Sequence, residues 1–230
     1  MSFEPLGFDS RRPLRRAVEA RPIHREDDIF DEPLRSVIGD VDDVLATVPG
    51  DQARDDLYSL ALLAHLTANV PGHIVDVGAG QGRAAVVLGE ATRVTGRGRV
   101  FAVDLYPEDE EAPDDAASSL DTLLGVMAAR NLLEWVLPHH GTGATFAQLM
   151  PLDFRCRLLV LEGAHACSDA STDIFALEHY LSPGGWLAVD HAFSSFPGAS
   201  LALETLFRQR GHFEMARQLT PTLFVARKRG

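Results

Sequence analysis

Four groups of residues in this chain have the types and spacing to do chemistry. The first is Asp76-Val77-Gly78-Ala79-Gly80-Gln81-Gly82, where an apolar run from Ile74 breaks into three alternating glycines. Gly78, Gly80 and Gly82 permit positive φ and let a ligand press against bare backbone. A helix beginning at Arg83 would point its free N–H groups at that ligand. This describes a nucleotide or nucleoside site. The pattern G-x-G-x-G departs from the dinucleotide fingerprint G-x-G-x-x-G. A carboxylate at Asp76 also sits poorly beside a pyrophosphate, because like charges repel. An uncharged or cationic nucleoside fits better. The second group is Asp104, which ends the run Val100-Phe101-Ala102-Val103 about 20 residues on, where such sheets hold ribose hydroxyls.

The third and fourth groups close two further apolar runs. Leu158-Leu159-Val160-Leu161 ends in Glu162-Gly163-Ala164-His165, and the run 185–189 ends in Asp190-His191. Two carboxylates with waters and substrate oxygens suit Mg²⁺, and a histidine ligand shifts preference toward Mn²⁺, Fe²⁺ or Zn²⁺. Glu162 would be a costly residue at a buried strand end without a partner. Blander roles exist. Asp190 can cap the loop after its strand, His191 can contact cofactor or backbone, and His165 can start a helix or orient substrate.

The elements that position these groups alternate. The pattern predicts helices over 51–69, 83–93, 118–130, 145–150, 169–181 and 199–210. Strands are expected at 74–77, 99–104, 135–138, 158–161, 185–190, 212–217 and 222–227. Such alternation demands an α/β doubly wound, mostly parallel sheet, with the last two strands close enough to pair antiparallel. Ligands then bind beyond the carboxyl ends of the strands. Residues 1–50 read as an N-terminal arm or cap with one or two short helices, and residues 51–230 as the ligand-binding domain. The acidic, proline-punctuated stretch after Asp104 reads as a solvated loop.

Composition narrows the partners. A length of 230 residues, 46% hydrophobic and 23% charged, suits one buried domain with an appendage. A net charge of −12 argues against nucleic acid, and no run approaches a membrane span. Cys156 and Cys167 have neither metal nor disulfide spacing, and the N-terminus lacks a signal-peptide core. The expectation is a cytoplasmic protein, open to homo-oligomer contacts through the arm.

Over residues 51–230 the chain resembles the class I S-adenosylmethionine (SAM) methyltransferases. The matching stretches are Val75-Asp76-Val77-Gly78-Ala79-Gly80-Gln81-Gly82, Asp104 and Ser182-Pro183-Gly184-Gly185-Trp186. The resemblance implies a Rossmann-like seven-stranded sheet with the last strand reversed. It places Gly78, Ala79, Gly80 and Gly82 against the amino-acid portion of SAM, with Asp76 near its amino group. Asp104, beside Leu105, falls at the ribose, and Gly141 and Thr142 fall near the adenine. In the implied strand order, the strands ending at Glu162 and Asp190 are neighbours, so their acids and histidines converge near the transferred methyl.

The acid, the histidine three positions later, the Pro-Gly-Gly and the acid at 190 resemble more closely the metal-dependent O-methyltransferases of sugars and other natural products. The macrocin and mycinamicin enzymes are examples. That resemblance implies SAM with a divalent metal, Mg²⁺ or Mn²⁺. It puts Glu162, Asp190 and His191 on the metal positions, Glu162 also beside the cofactor, and His165 as general base. Asp173 matches an acid on the following helix. Two departures stand out: Glu162 replaces the usual Asp, and His191 replaces the second acid of the pair, which removes a negative charge. The alternatives are a metal-independent SAM methyltransferase and a non-catalytic SAM-binding homologue.

Overall fold

Three continuous apolar runs become the central strands of one sheet in the computed structural model, which describes residues 32–106, 119–162, 170–193, 198–207 and 211–230. Helices α1 (Glu32–Gly39), α2 (Val41–Thr47) and α3 (Arg54–Leu66) lead into strand β1 (His73–Val77), helix α4 (Arg83–Thr95) and strand β2 (Val100–Asp104). Helix α5 (Ser119–Ala129), strand β3 (Val136–His140), helix α6 (Gly143–Leu149) and strand β4 (Cys156–Glu162) follow. Then come α7 (Ala170–Leu177), a 3₁₀ turn (Glu178–Tyr180), β5 (Leu181–Asp190), α8 (Gly198–Thr205), β6 (Phe213–Gln218) and β7 (Phe224–Lys228).

The strand order is β3-β2-β1-β4-β5-β7-β6. The first five strands pair parallel, and β7 runs antiparallel to both β5 and β6. This is the Rossmann-like doubly wound sheet with a reversed last strand. Its order switches direction between β1 and β4, which opens a crevice at their carboxyl ends.

Both faces of the sheet are covered, so the central strands read as unbroken apolar runs. Ile74, Leu158 and Val160 pack with Leu57, Leu60, Val86 and Leu88 on one face. Val75, Val77, Leu159 and Leu161 pack with Phe146, Ile174 and Leu177 on the other. All seven positions of β4 are buried, whereas β6 is an edge strand, largely exposed and interrupted by a register shift after Glu214. Among the described residues no helix is long and apolar enough to cross a membrane.

Within the segment read as an arm, Val37, Val41, Val44 and Val48 pack into the same core as α3 and α4. Arg83 ties this segment down by donating from Nε to Val48 O at 2.9 Å and from Nη1 to Gln52 O at 3.3 Å. Residues 1–31, the acidic stretch 107–118 read as a solvated loop, Cys167 and His165 lie outside the described residues.

Two elements differ from expectation. The helix expected to reach 181 ends at Leu177, and β5 begins at Leu181 instead of Gly185. Pro183 holds the residue before it extended, which favours strand over helix from this point. Ser182 then donates its hydroxyl to Pro71 O at 2.7 Å. At the start of β4, the register shifts between Cys156 and Leu158 against both neighbours, leaving Arg157 as a bulge residue.

Candidate functional site

The glycine turn forms as its spacing predicts. Gly78, Gly80 and Gly82 adopt φ of 85°, 52° and 100°. The Gly78 N–H donates to Val103 O at 2.9 Å, and the Gly80 N–H donates to Asp104 Oδ2 at 2.9 Å. A Cβ at Gly82 would fall 2.4 Å from Leu123 Cδ1, so α5 fixes that glycine from behind. A Cβ at Gly80 would meet nothing within 4 Å, which leaves room for a ligand against this backbone. Among the described residues no side chain caps α4, which leaves the N–H groups of its first turn available to a ligand.

Asp104 does more than end β2. Besides Gly80, it accepts the Tyr106 N–H on Oδ1 at 3.0 Å, while the Tyr106 hydroxyl donates back to Ala102 O at 2.8 Å. The carboxylate therefore fastens the glycine turn to the strand end and retains acceptor capacity for hydroxyls. Leu105 beside it is exposed.

Asp76 lies on β1 between Ala102 and Val160 of the neighbouring strands. It is 3% exposed, and its Oδ2 has no hydrogen-bond partner among the described residues. Burial, then Asp104, then Glu162 push its carboxyl up to about 7. A cation beside it would lower that value.

Glu162 and Asp190 end β4 and β5 in direct register. His191 follows with φ 49°, uncommon for a non-glycine residue. Asp190 Oδ1 accepts the His191 N–H at 2.9 Å. This turn brings His191 Nδ1 to 3.4 Å from Glu162 Oε1 and 3.3 Å from Asp190 Oδ1. One potential ligand atom from each residue lies within 4.8 Å of the others. Burial and Glu162 push Asp190 up to about 6, and His191 partly offsets them.

The remaining candidates divide. The Gly141 N–H donates to Asp104 O at 2.8 Å, which places the loop after β3 beside the end of β2. The Thr142 hydroxyl accepts the Thr145 N–H at 3.1 Å, so it caps α6. Asp173 reaches the same helix start and accepts the Ala144 N–H at 2.7 Å, where a Cβ on Gly143 would sit 2.8 Å from its Cγ. Sequence reasoning missed Asp56, buried on α3. It accepts from the Ala53 N–H at 3.3 Å, from the Thr222 hydroxyl at 2.8 Å and from the Thr220 hydroxyl, pinning the β6–β7 turn. Its charge also raises Asp190. The threonines lie too far along the chain for any local pattern to reveal this.

Comparison with curated protein sequences gives no match. Among solved structures, the O-methyltransferase NovP is similar at 14% identity and TM-score 0.66, covering 86% of this chain and 98% of its own. CalS11, a TDP-rhamnose 3′-O-methyltransferase of calicheamicin biosynthesis, is similar at 18% identity and TM-score 0.60, covering 86% and 96%. A Streptococcus mutans protein solved in complex with SAH is similar at 16% identity and TM-score 0.54, covering 77% and 99%. At these identities the structures share the fold. The sequence profile of the family described as a methyltransferase domain matches residues 75–192. Matching from the glycine turn to just past the Asp190–His191 pair, over half of its length, the chain belongs to the methyltransferase-domain family, the class I SAM-dependent methyltransferases that its sequence resembles.

Proposed function

We propose that the protein is a SAM-dependent O-methyltransferase acting on a hydroxyl of a small molecule, a sugar or another natural product, assisted by a divalent metal. The observation that carries this reading is the convergence of Glu162, Asp190 and His191 at the crevice that the glycine turn also borders. The similarity to NovP and CalS11 supports an oxygen acceptor.

The residues fit both groups. For SAM, Asp76 keeps a buried, unpartnered carboxylate oxygen and the Gly80 backbone is open on its ligand side. For a metal, Asp190 Oδ2 and His191 Nδ1 are buried without hydrogen bonds among the described residues. Glu162, Asp190 and His191 would hold a divalent ion, which as a Lewis acid lowers the pKa of an acceptor hydroxyl. Methyl transfer from a sulfonium is intrinsically favourable, so the protein mainly aligns the two centres and removes a proton. Asp104 positions the glycine turn and offers acceptors to ribose hydroxyls. Asp76 orients the amino group of the cofactor. His165, three positions beyond Glu162, takes the proton from the acceptor.

Calorimetric titration of S-adenosylhomocysteine into chelator-stripped protein tests the reading. Micromolar binding is expected. A folded sample that binds none would overturn SAM use.

A further inference from the structure

We propose that His191 makes the Glu162–Asp190–His191 site selective for a first-row transition dication over Mg²⁺. This rests on the metal-assisted reading above and specifies the ion. His191 Nδ1 lies 3.4 Å from Glu162 Oε1 and 3.3 Å from Asp190 Oδ1. It is buried and makes a hydrogen bond to neither oxygen. The nitrogen is thus aimed between two carboxylates and not at one of them. Ligand atoms held at about 2.1 Å from one ion stand ~3.0 Å apart at neighbouring octahedral positions and ~3.4 Å apart in a tetrahedron. Both N···O separations suit a shared ion. A second, independent observation lies at the same strand end: Asp190 is 4% exposed, and its Oδ2 has no hydrogen-bond partner among the described residues.

The chain fixes this imidazole by ordinary means. In-register pairing of Glu162 with Asp190 sets the two carboxylates side by side. The left-handed turn at His191, held by its N–H on Asp190 Oδ1, brings the ring back over them. The donor set is then two carboxylates and one imidazole nitrogen. Mg²⁺ takes oxygen ligands and gives up its waters reluctantly, whereas imidazole suits the transition ions. Affinity for such a mixed site rises from Mn²⁺ to Co²⁺ along the usual order. The imidazole also supplies one negative charge fewer than a third carboxylate, which weakens Mg²⁺ binding most.

The test is direct binding to the full-length, chelator-stripped protein, without acceptor. Calorimetry with Co²⁺, Mn²⁺ and Mg²⁺ is expected to give one site, Co²⁺ tightest and at least about 100-fold tighter than Mg²⁺. Pulsed electron paramagnetic resonance of the Mn²⁺ form should show coupling to an imidazole nitrogen. In His191→Asp that coupling should vanish and the Co²⁺-to-Mg²⁺ ratio should fall at least about tenfold. Mg²⁺ binding within about tenfold of Co²⁺ would overturn the selectivity while leaving the metal-assisted reading standing. Failure of all three ions to bind would overturn both. If His191→Asp does not fold, the wild-type ratio and the nitrogen coupling decide alone.

Discussion

Glu162 and Asp190 face each other in register across adjacent parallel strands, and both are buried at the point where those strands end. Burial pushes the Asp190 carboxyl up to about 6, and repulsion from Glu162 adds to that rise. A fold does not gain stability from such a pair unless a cation lies between them. The same logic extends along the crevice to Asp76, raised by burial and by both Asp104 and Glu162. The crevice gathers buried carboxylates, at one end beside the glycine turn and at the other beside His191.

Neutralising either acid of the pair should therefore separate stability from function. Glu162→Gln and Asp190→Asn are expected to lose at least about 100-fold in turnover while the metal-free protein gains on the order of 1 kcal/mol. Rates with and without a strong chelator, together with urea unfolding, check both halves. Wild-type activity that survives chelation unchanged would remove the metal from the reaction.

His165 follows Glu162 by three positions, close enough in the chain to reach the same strand end. As general base it should contribute about 10²–10⁴-fold to rate and little to cofactor affinity. His165→Ala is expected to cut turnover within that range and keep S-adenosylhomocysteine binding within a few-fold. An equal loss of binding would assign His165 to the cofactor pocket instead.

Asp76 makes the unliganded protein sensitive to pH in a defined direction. Its folded-state value of about 7 stands above the ordinary 3.8, so between these values the folded chain holds a proton that the unfolded chain has released. Stability is then lost as pH rises through that window, and Asp190 adds to the loss up to about 6. The melting temperature should fall between about pH 4 and about pH 7, and Asp76→Asn should flatten much of the fall. An ammonium group beside Asp76 reverses the shift, so cofactor binding should release a proton in wild type and not in Asp76→Asn. Calorimetry in buffers of different ionisation enthalpy reads that proton.

The glycines Gly80 and Gly82 separate cofactor contact from packing. Gly82→Ala would place a Cβ 2.4 Å from Leu123 Cδ1 at a φ of 100°. It should cost about 2–4 kcal/mol of stability. Gly80→Ala meets open space at a φ of 52° and should cost only about 1 kcal/mol, yet its methyl occupies the ligand side of the turn. Its expected signature is a folded protein with at least about tenfold weaker S-adenosylhomocysteine binding. Equal binding by Gly80→Ala and wild type would move the cofactor off this backbone.

The parts of this molecule legible in its sequence are those whose signal is local. The run Leu158-Leu159-Val160-Leu161 announces a strand buried on both faces, and the alternating glycines after Asp76 announce a tight turn. Convergence of Glu162 with Asp190 is legible once parallel order makes their strands neighbours. What escaped are contacts whose partners lie far along the chain. Asp56 reads as an ordinary acid in a helix's first turn, and only the fold sets it under Thr220 and Thr222. Thr142 and Asp173 carry the composition of ligand-binding residues, and only the fold shows that both also cap the start of α6. Val37, Val41, Val44 and Val48 sit among enough charge and proline that their burial on α4 leaves no clean helical stripe.

Arg157 is the clearest of these silent residues and tests how the sheet is anchored at the end away from the site. It is fully buried at the β4 bulge, where an alternating reading admits only an apolar side chain. Its Nη1 donates to Arg97 O at 2.7 Å and Gly72 O at 3.1 Å, and its Nη2 to Thr92 Oγ1 at 3.4 Å. Burial pushes the guanidinium down only to about 10, so it remains charged at neutral pH and its bonds are charge-assisted. These bonds join β4 to the turn before β1 and the loop after α4. Arg157→Met keeps the apolar stem but leaves the two carbonyls without a donor, and should cost about 2–4 kcal/mol in urea unfolding. Because the bulge lies at the opposite end of β4 from Glu162, S-adenosylhomocysteine affinity should be unchanged. A variant as stable as wild type would mean that water replaces the guanidinium at no cost, and that the bulge itself holds this edge of the fold.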